Sequence, residues 1–346
     1  MSEDISLLAS AELKAVYLGR VNEEGYYKND VLQTLDEDLA DILTTFFLKP
    51  IKPGFSYTFD HEIDLKYNAA FVACQEIFAN EEVFLDQSQQ LLKLLYSVSE
   101  NQNIIPGEFY TAYFERVYFE GRYVKAVGVF KSESKDPFLT IGEGKSSLTM
   151  EHQSGISIHN IHKGALIYDM PDEVGYQLTI FDKNSIQQPA RFWVHDFLNV
   201  KPLQDEYFQT DSVLKLCKDF VKKGSREMDG VDKADLMNRT MDYFQTNETF
   251  HLPAFETEVF KDEDVMRNFY EHREKFVAQS GQEELEESFE ISAPAFEKAK
   301  RYVRSVIKLD KNFHVYVHGG REMIERGYDE AKGQHYYKLF FNEEQN

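Results

Sequence analysis

Six basic residues near the C-terminus, Lys298, Lys300, Arg301, Arg304, Lys308 and Lys311, are the best suited by type and spacing to a chemical task. From Lys298 to Lys311 they face a single acid, Asp310. On a helix, Lys300, Arg304 and Lys308 fall about one turn apart on one face and could track a phosphate backbone without reading bases. A second basic group, Lys215, Lys218, Lys222, Lys223 and Arg226, closes an earlier helical pattern. There the helix dipole favours positive charge for structural reasons alone.

Other chemistry finds less support. His159 and His162 are three apart, His195 precedes Asp196, and His314 and His318 share one face of a strand-like run. Three His with a carboxylate could hold zinc, yet in extended chain a three-residue separation does not bring two rings together as a helix would. Gly142-Glu143-Gly144-Lys145-Ser146 is the closest approach to a phosphate-binding loop. That motif requires a glycine five positions before Gly144, where Leu139 stands, and Glu143 would set a negative charge beside the phosphates. Sixty acids could supply a two-metal nuclease site or an acid and base pair. None is singled out, because they are scattered or run together as in DEDLAD and EELEE, which reads as solvated surface. No nucleophile elbow, HExxH or CxxC pattern occurs. The expectation is no catalytic residue, no metal set and no cofactor, with a metal-dependent nuclease or hydrolase as the disfavoured alternative.

Composition bounds the remaining classes. At 346 residues, 42% hydrophobic and 28% charged, the chain is an ordinary globular sequence long enough for two domains. No apolar run approaches the roughly 20 residues of a spanning helix, and the opening MSEDISLLASAELK lacks the marks of a secretory signal. Cys74 and Cys217 each lie in an apolar helical pattern and read as buried thiols, which suits a reducing cytoplasm. The net charge of −22 repels phosphate backbones and anionic lipid at long range, so any nucleic-acid contact must be local. From Ile291 onwards, ten Lys and Arg against eight Asp and Glu reverse the balance to +2.

The elements that must position these residues follow from periodicity. FYTAYFERVYF and YVKAVGVF, joined at Glu120-Gly121-Arg122, form a hairpin pattern. KGALIYD and YQLTIFDK form a second, with Pro171 and Gly175 in its turn. ARFWVHDFL, with the only tryptophan, closes this antiparallel meander, which is expected to be the core of the first domain. Before it, AELKAVYLGRV reads as a strand, and three helical stripes follow: Leu39, Ile42, Leu43, Phe46, Phe47; then Ala70, Phe71, Cys74, Ile77, Phe78; then Leu91, Leu94, Leu95, Val98. The polar stretch KSESKDPFLTIGEGKSSLTMEHQSG between the two hairpins reads as a long loop.

After Pro202 the pattern turns helical. TDSVLKLCKDFVKKG stops at Gly224, and VDKADLMNRTMDYF, LPAFETEVF and EDVMRNFYEHREKFVAQ follow, with GQEELEESFE as an acidic link. SAPAFEKAKRYVRSVIKLDKN then reads as one helix, with Phe296, Ala299, Tyr302, Val303, Val306 and Ile307 on its apolar side and the six basic residues opposite. FHVYVHGG and HYYKLFF read as the two strands of a hairpin behind it. The expected class is α+β. Residues 1–203 would form helices packed on a meander, 204–290 a helical segment, and 291–346 a helix-plus-hairpin module.

The order of these parts resembles the bacterial nucleoid-associated protein family. The resemblance is carried by FFLKPI, FYTAYFERVYFEGRYVKAVGVFK, GISIHNIHKGALIYD with YQLTIFDKN, ARFWVHDFLNV, FEISAPAFEKAKRYVRSVIKL and FHVYVHG, over nearly the full length. It implies chromosome association, a cytoplasmic place at the nucleoid and no catalytic activity. It leaves two routes open: direct, weak contact with DNA through the six basic residues, or docking on DNA-bound proteins such as a topoisomerase. Homo-oligomerisation is compatible with either.

Overall fold

A computed structural model describes residues 7–52, 54–99, 105–143, 147–170, 175–183, 189–225, 228–280, 285–303, 306–317 and 321–343. The chain divides into two compact units, 1–203 and 204–346.

In the first unit a short turn of helix, α1 (Leu7–Ser10), precedes β1 (Glu12–Asn22) and β2 (Gly25–Tyr27). There follow α2 (Glu37–Leu48), β3 (Ser56–Phe59), α3 (Ala69–Ala79) and α4 (Phe84–Ser99). The meander is β4 (Gly107–Phe119), β5 (Arg122–Ser132), β8 (Lys163–Tyr168) and β9 (Gln177–Asp182), with β6 (Asp136–Glu143) and β7 (Leu148–Gly155) inserted after β5 and β10 (Val200–Pro202) at the end. One antiparallel sheet runs in the order β10-β3-β9-β8-β5-β4-β1-β2, so the four meander strands are contiguous at its centre. The tight turn lies between Phe119 and Arg122, with Glu120 at φ 45° and Gly121 at φ 80°, both left-handed as a two-residue hairpin turn demands.

Both faces of this sheet are covered. Phe109, Tyr113, Val127, Val129, Ala165 and Ile167 face α3, α4 and buried Trp193. Their alternate neighbours Tyr110, Phe114, Ala126, Phe130 and Leu166 face Phe46 and Phe47 of α2. The period of two therefore yields two apolar faces, and the strands read as nearly unbroken apolar runs.

The segment expected to be a loop is instead a hairpin. β6 and β7 pair in register from Asp136 with Gly155 to Glu143 with Leu148, and among the described residues each pairs with no other strand. Leu139-Thr140-Ile141 and Leu148-Thr149-Met150 alternate apolar residues with Thr and supply strand character that the flanking glycines and serines conceal. Gly142 and Glu143 thus lie on a strand, while Gly144, Lys145 and Ser146 lie outside the described residues.

The second unit contains α5 (Glu206–Asp219), α6 (Gly230–Thr246), β11 (Thr249–His251), α7 (Leu252–Val259), α8 (Glu263–Ser280), β12 (Ser288–Glu290) and α9 (Ala293–Ala299). Asp205 caps α5 by accepting from the Phe208 amide, and Asp229 caps α6 by accepting from those of Val231 and Asp232. Val213, Leu216, Cys217 and Phe220 meet Leu236, Phe244, Phe255 and Phe269 in one core, which Phe296, Ala299 and Val303 complete.

The long basic helix does not form. α9 ends at Ala299, and Val306–Leu309 is a strand, β13, paired with β14 (Phe313–Tyr316). A β-branched pair followed by Lys and Leu suits either a helix stripe or a strand over so short a run. The hairpin prevails because, as a strand pair, it lets Ile307 and Val317 pack together against Val231 and Ala234 of α6. Phe313–Tyr316 and Gln334–Leu339 do not pair with one another either: the latter, β16, pairs with β15 (Ile324–Asp329). Two hairpins follow α9.

Candidate nucleic-acid interface

Ser292 starts α9 by accepting from the Ala295 amide, Pro294 stands in its first turn, and Ala295, Phe296 and Ala299 are buried. That burial turns Glu297, Lys298 and Lys300 to solvent, with Arg301 exposed just beyond the helix. The Lys300 Nζ lies 2.6 Å from a Glu297 carboxylate oxygen and 4.7 Å from the Phe296 ring centroid, so much of its charge is met locally. Lys298 and Arg301 have no carboxylate partner among the described residues. Lys308 points outward from β13 opposite His314, and Lys311 is exposed in the turn. Arg304 lies outside the described residues. The six therefore do not share one helical face.

Packing of α5 beside α9 produces a different grouping, one that neither basic run shows alone. The Lys298 Nζ sits 5.5 Å from the Tyr207 ring centroid, and the Lys218 Nζ 4.8 Å from that of Tyr302. Both distances suit cation–π attraction. Between them the Tyr302 hydroxyl donates to Asp211 Oδ1 at 2.8 Å, while Lys215 pairs with Asp211 Oδ2 at 2.5 Å. Burial, reinforced by the Asp211 charge, raises the Tyr302 phenol well above its ordinary range, so it stays a donor. From Tyr207 to Lys218 is about 16 Å along α5 at 1.5 Å per residue.

This strip carries Lys215, Lys218, Lys298 and Arg301, with Lys222 exposed one turn beyond Lys218. Of these Lys215 is compensated by buried Asp211, as is the neighbouring Lys223 by Asp219 at 2.8 Å. Arg226 lies outside the described residues. Among the described residues Lys218, Lys222, Lys298 and Arg301 then have no carboxylate partner and can meet an anion. Sequence separation hid the grouping, and the only available signal was the aromatic residue, Tyr207 or Tyr302, near each basic run.

The histidines do not converge. His159, His195 and His314 are exposed, and His318 lies outside the described residues. His162 is buried, its Nδ1 accepting from the Glu133 amide at 3.0 Å. Among the described residues no three His, Cys, Asp or Glu are grouped as a metal would need. Nor is any helix among them long and apolar enough to cross a membrane.

No curated protein and no solved structure gave a significant match to the chain. A family model, described as nucleoid-associated protein YejK, matches residues 29–335, a span that takes in most of the first unit's sheet, α5, α9 and both C-terminal hairpins up to His335. The chain therefore belongs to the nucleoid-associated protein family that this model defines.

Proposed function

We propose that the protein binds DNA weakly and without base preference through the strip on α5 and α9, with Lys218, Lys222, Lys298 and Arg301 as phosphate contacts. The convergence of two sequence-distant basic groups around Tyr207 and Tyr302 carries this reading. Lys300 contributes less because Glu297 holds it, and Lys308 and Lys311, exposed on the following hairpin, are not among these four contacts. Such contacts release counterions and require no catalytic step, metal or cofactor. The net charge of −22 opposes the approach at long range, which makes the contact weak and local. Lys218→Glu combined with Arg301→Glu should weaken binding about 10-fold or more, equally on two unrelated duplexes. Unchanged affinity in a binding assay would remove this surface from consideration.

A second reading has the chain acting as an adaptor on DNA-bound proteins, such as a topoisomerase, without touching DNA. The exposed aromatics Tyr316, Tyr328 and Tyr336 of the C-terminal hairpins, with Phe341 just beyond the last strand, favour it, since exposed aromatic groups are typical of protein contact sites. Under this reading, recovery of nucleoid proteins with the tagged chain survives nuclease treatment; under the first it is lost.

A further inference from the structure

The β6–β7 hairpin has the build of an interaction arm. Side chains of paired residues point the same way, so Leu139, Ile141, Leu148 and Met150 share one face, with Glu143 at its outer end and His152 towards its base. These four are 64%, 56%, 73% and 68% exposed. The opposite face presents Thr140, Thr149, Glu151 and Gln153, with the Phe138 ring lying over Gly155. One side is thus apolar and solvated, the other polar apart from Phe138, which is 46% exposed near the base of the arm.

A lone two-stranded hairpin is marginal in water and needs a cover on its apolar side. Among the described residues neither strand pairs with any third strand, and the four side chains belong to no core. No described residue of the first unit's cores covers this face, which leaves it open to an occupant from another molecule. Neither strand carries a Lys or Arg, while Asp136, Glu143 and Glu151 are acidic, which disfavours phosphate backbones and anionic lipid. A protein surface remains, and the cover must be at hand whenever the arm folds, a condition met by a second copy of the same chain.

We infer that two copies pack through this face, arm against arm, about a two-fold axis near Ile141 and Met150. The pattern is self-complementary. Antiparallel stacking sets the His152 end of each arm against the Glu143 end of the other and joins apolar to apolar between them. A standard interface takes about 800 Å² from each partner, of which four side chains more than half exposed supply roughly half. The inference does not depend on how the chain meets DNA.

Sedimentation velocity on the full chain from about 1 to 100 µM tests it. The expected species has twice the 40.4 kDa chain mass. Ile141→Glu with Met150→Glu should weaken the dimer about 100-fold or more, because it buries unpaired charge. The melting transition should be retained, since the arm lies outside the eight-stranded sheet. Independently, Met150→Cys should form an intermolecular disulfide under oxidation and Thr149→Cys, on the polar face, should not, with native Cys74 and Cys217 buried and silent. A monomer across the whole range, a dimer indifferent to the double substitution, or equal cross-linking at 149 and 150 would each overturn the inference.

Discussion

Lys163 and Asp182 lie 2.9 Å apart with side chains 6% and 0% exposed, on adjacent strands at the centre of the first unit. Asp182 also accepts from the Ala190 amide at 2.9 Å, and Lys131, fully buried beside Glu133, sits opposite Lys163 across β5 and β8. Such pairs gain little over an apolar core, but removing one partner strands a buried charge. Lys163→Met is accordingly expected to cost about 3–5 kcal/mol in urea unfolding; a loss below about 1 kcal/mol would show that Asp182 finds another partner or water. His162 belongs to the same region. Burial lowers its imidazole below the ordinary 6.5, and its Nδ1 can accept from the Glu133 amide only when unprotonated. The unfolded chain therefore binds the proton more readily than the folded one. The stability His162 contributes is present above the ordinary value and lost as pH falls through the folded one, and His162→Gln should flatten that acid-side slope. An unaltered slope would assign it to the carboxylates instead.

Among elements, the central strands of the sheet are legible in the sequence, whereas the short strands β2, β3 and β10 and the arm are not. β4, β5, β8 and β9 stood out because each is covered on both sides and must be apolar nearly throughout. The arm reads as a loop because Leu139, Ile141, Leu148 and Met150 are interspersed with Thr, Gly and Glu, as a two-faced hairpin requires. Val306 and Ile307 fit the helical wheel of α9 as well as a strand, and only the surface of α6 decides between them. The site suffered from a different limit: Tyr207 and Lys298, or Lys218 and Tyr302, are distant in sequence, and periodicity within one run carries no information about which helix packs beside it. At the β4–β5 turn the sequence reading and the structure agree closely enough to test backbone cost alone. A Cβ on Gly121 meets nothing within 4 Å, so Gly121→Ala, at φ 80°, should destabilise by about 1–2 kcal/mol through conformation only. A neutral result would mean that the turn relaxes to another type.

For the molecule as a whole, the question is how a chain of net charge −22 meets a polyanion. Local gathering of cations answers it if the gathered groups lack carboxylate partners, which holds for Lys218, Lys222, Lys298 and Arg301 among the described residues and fails for Lys215, Lys223 and Lys300. Four phosphate contacts imply a log–log slope of affinity against salt of about −3.6, at roughly −0.9 per contact. The most direct measurement is that slope for the full chain and for its Lys218→Glu, Arg301→Glu variant on one duplex. A slope of about −3.6 is expected for the native chain, with a decline to about −1.8 in the variant as two contacts are lost; a flat salt response, or the same slope in both, would rule out direct contact through this strip.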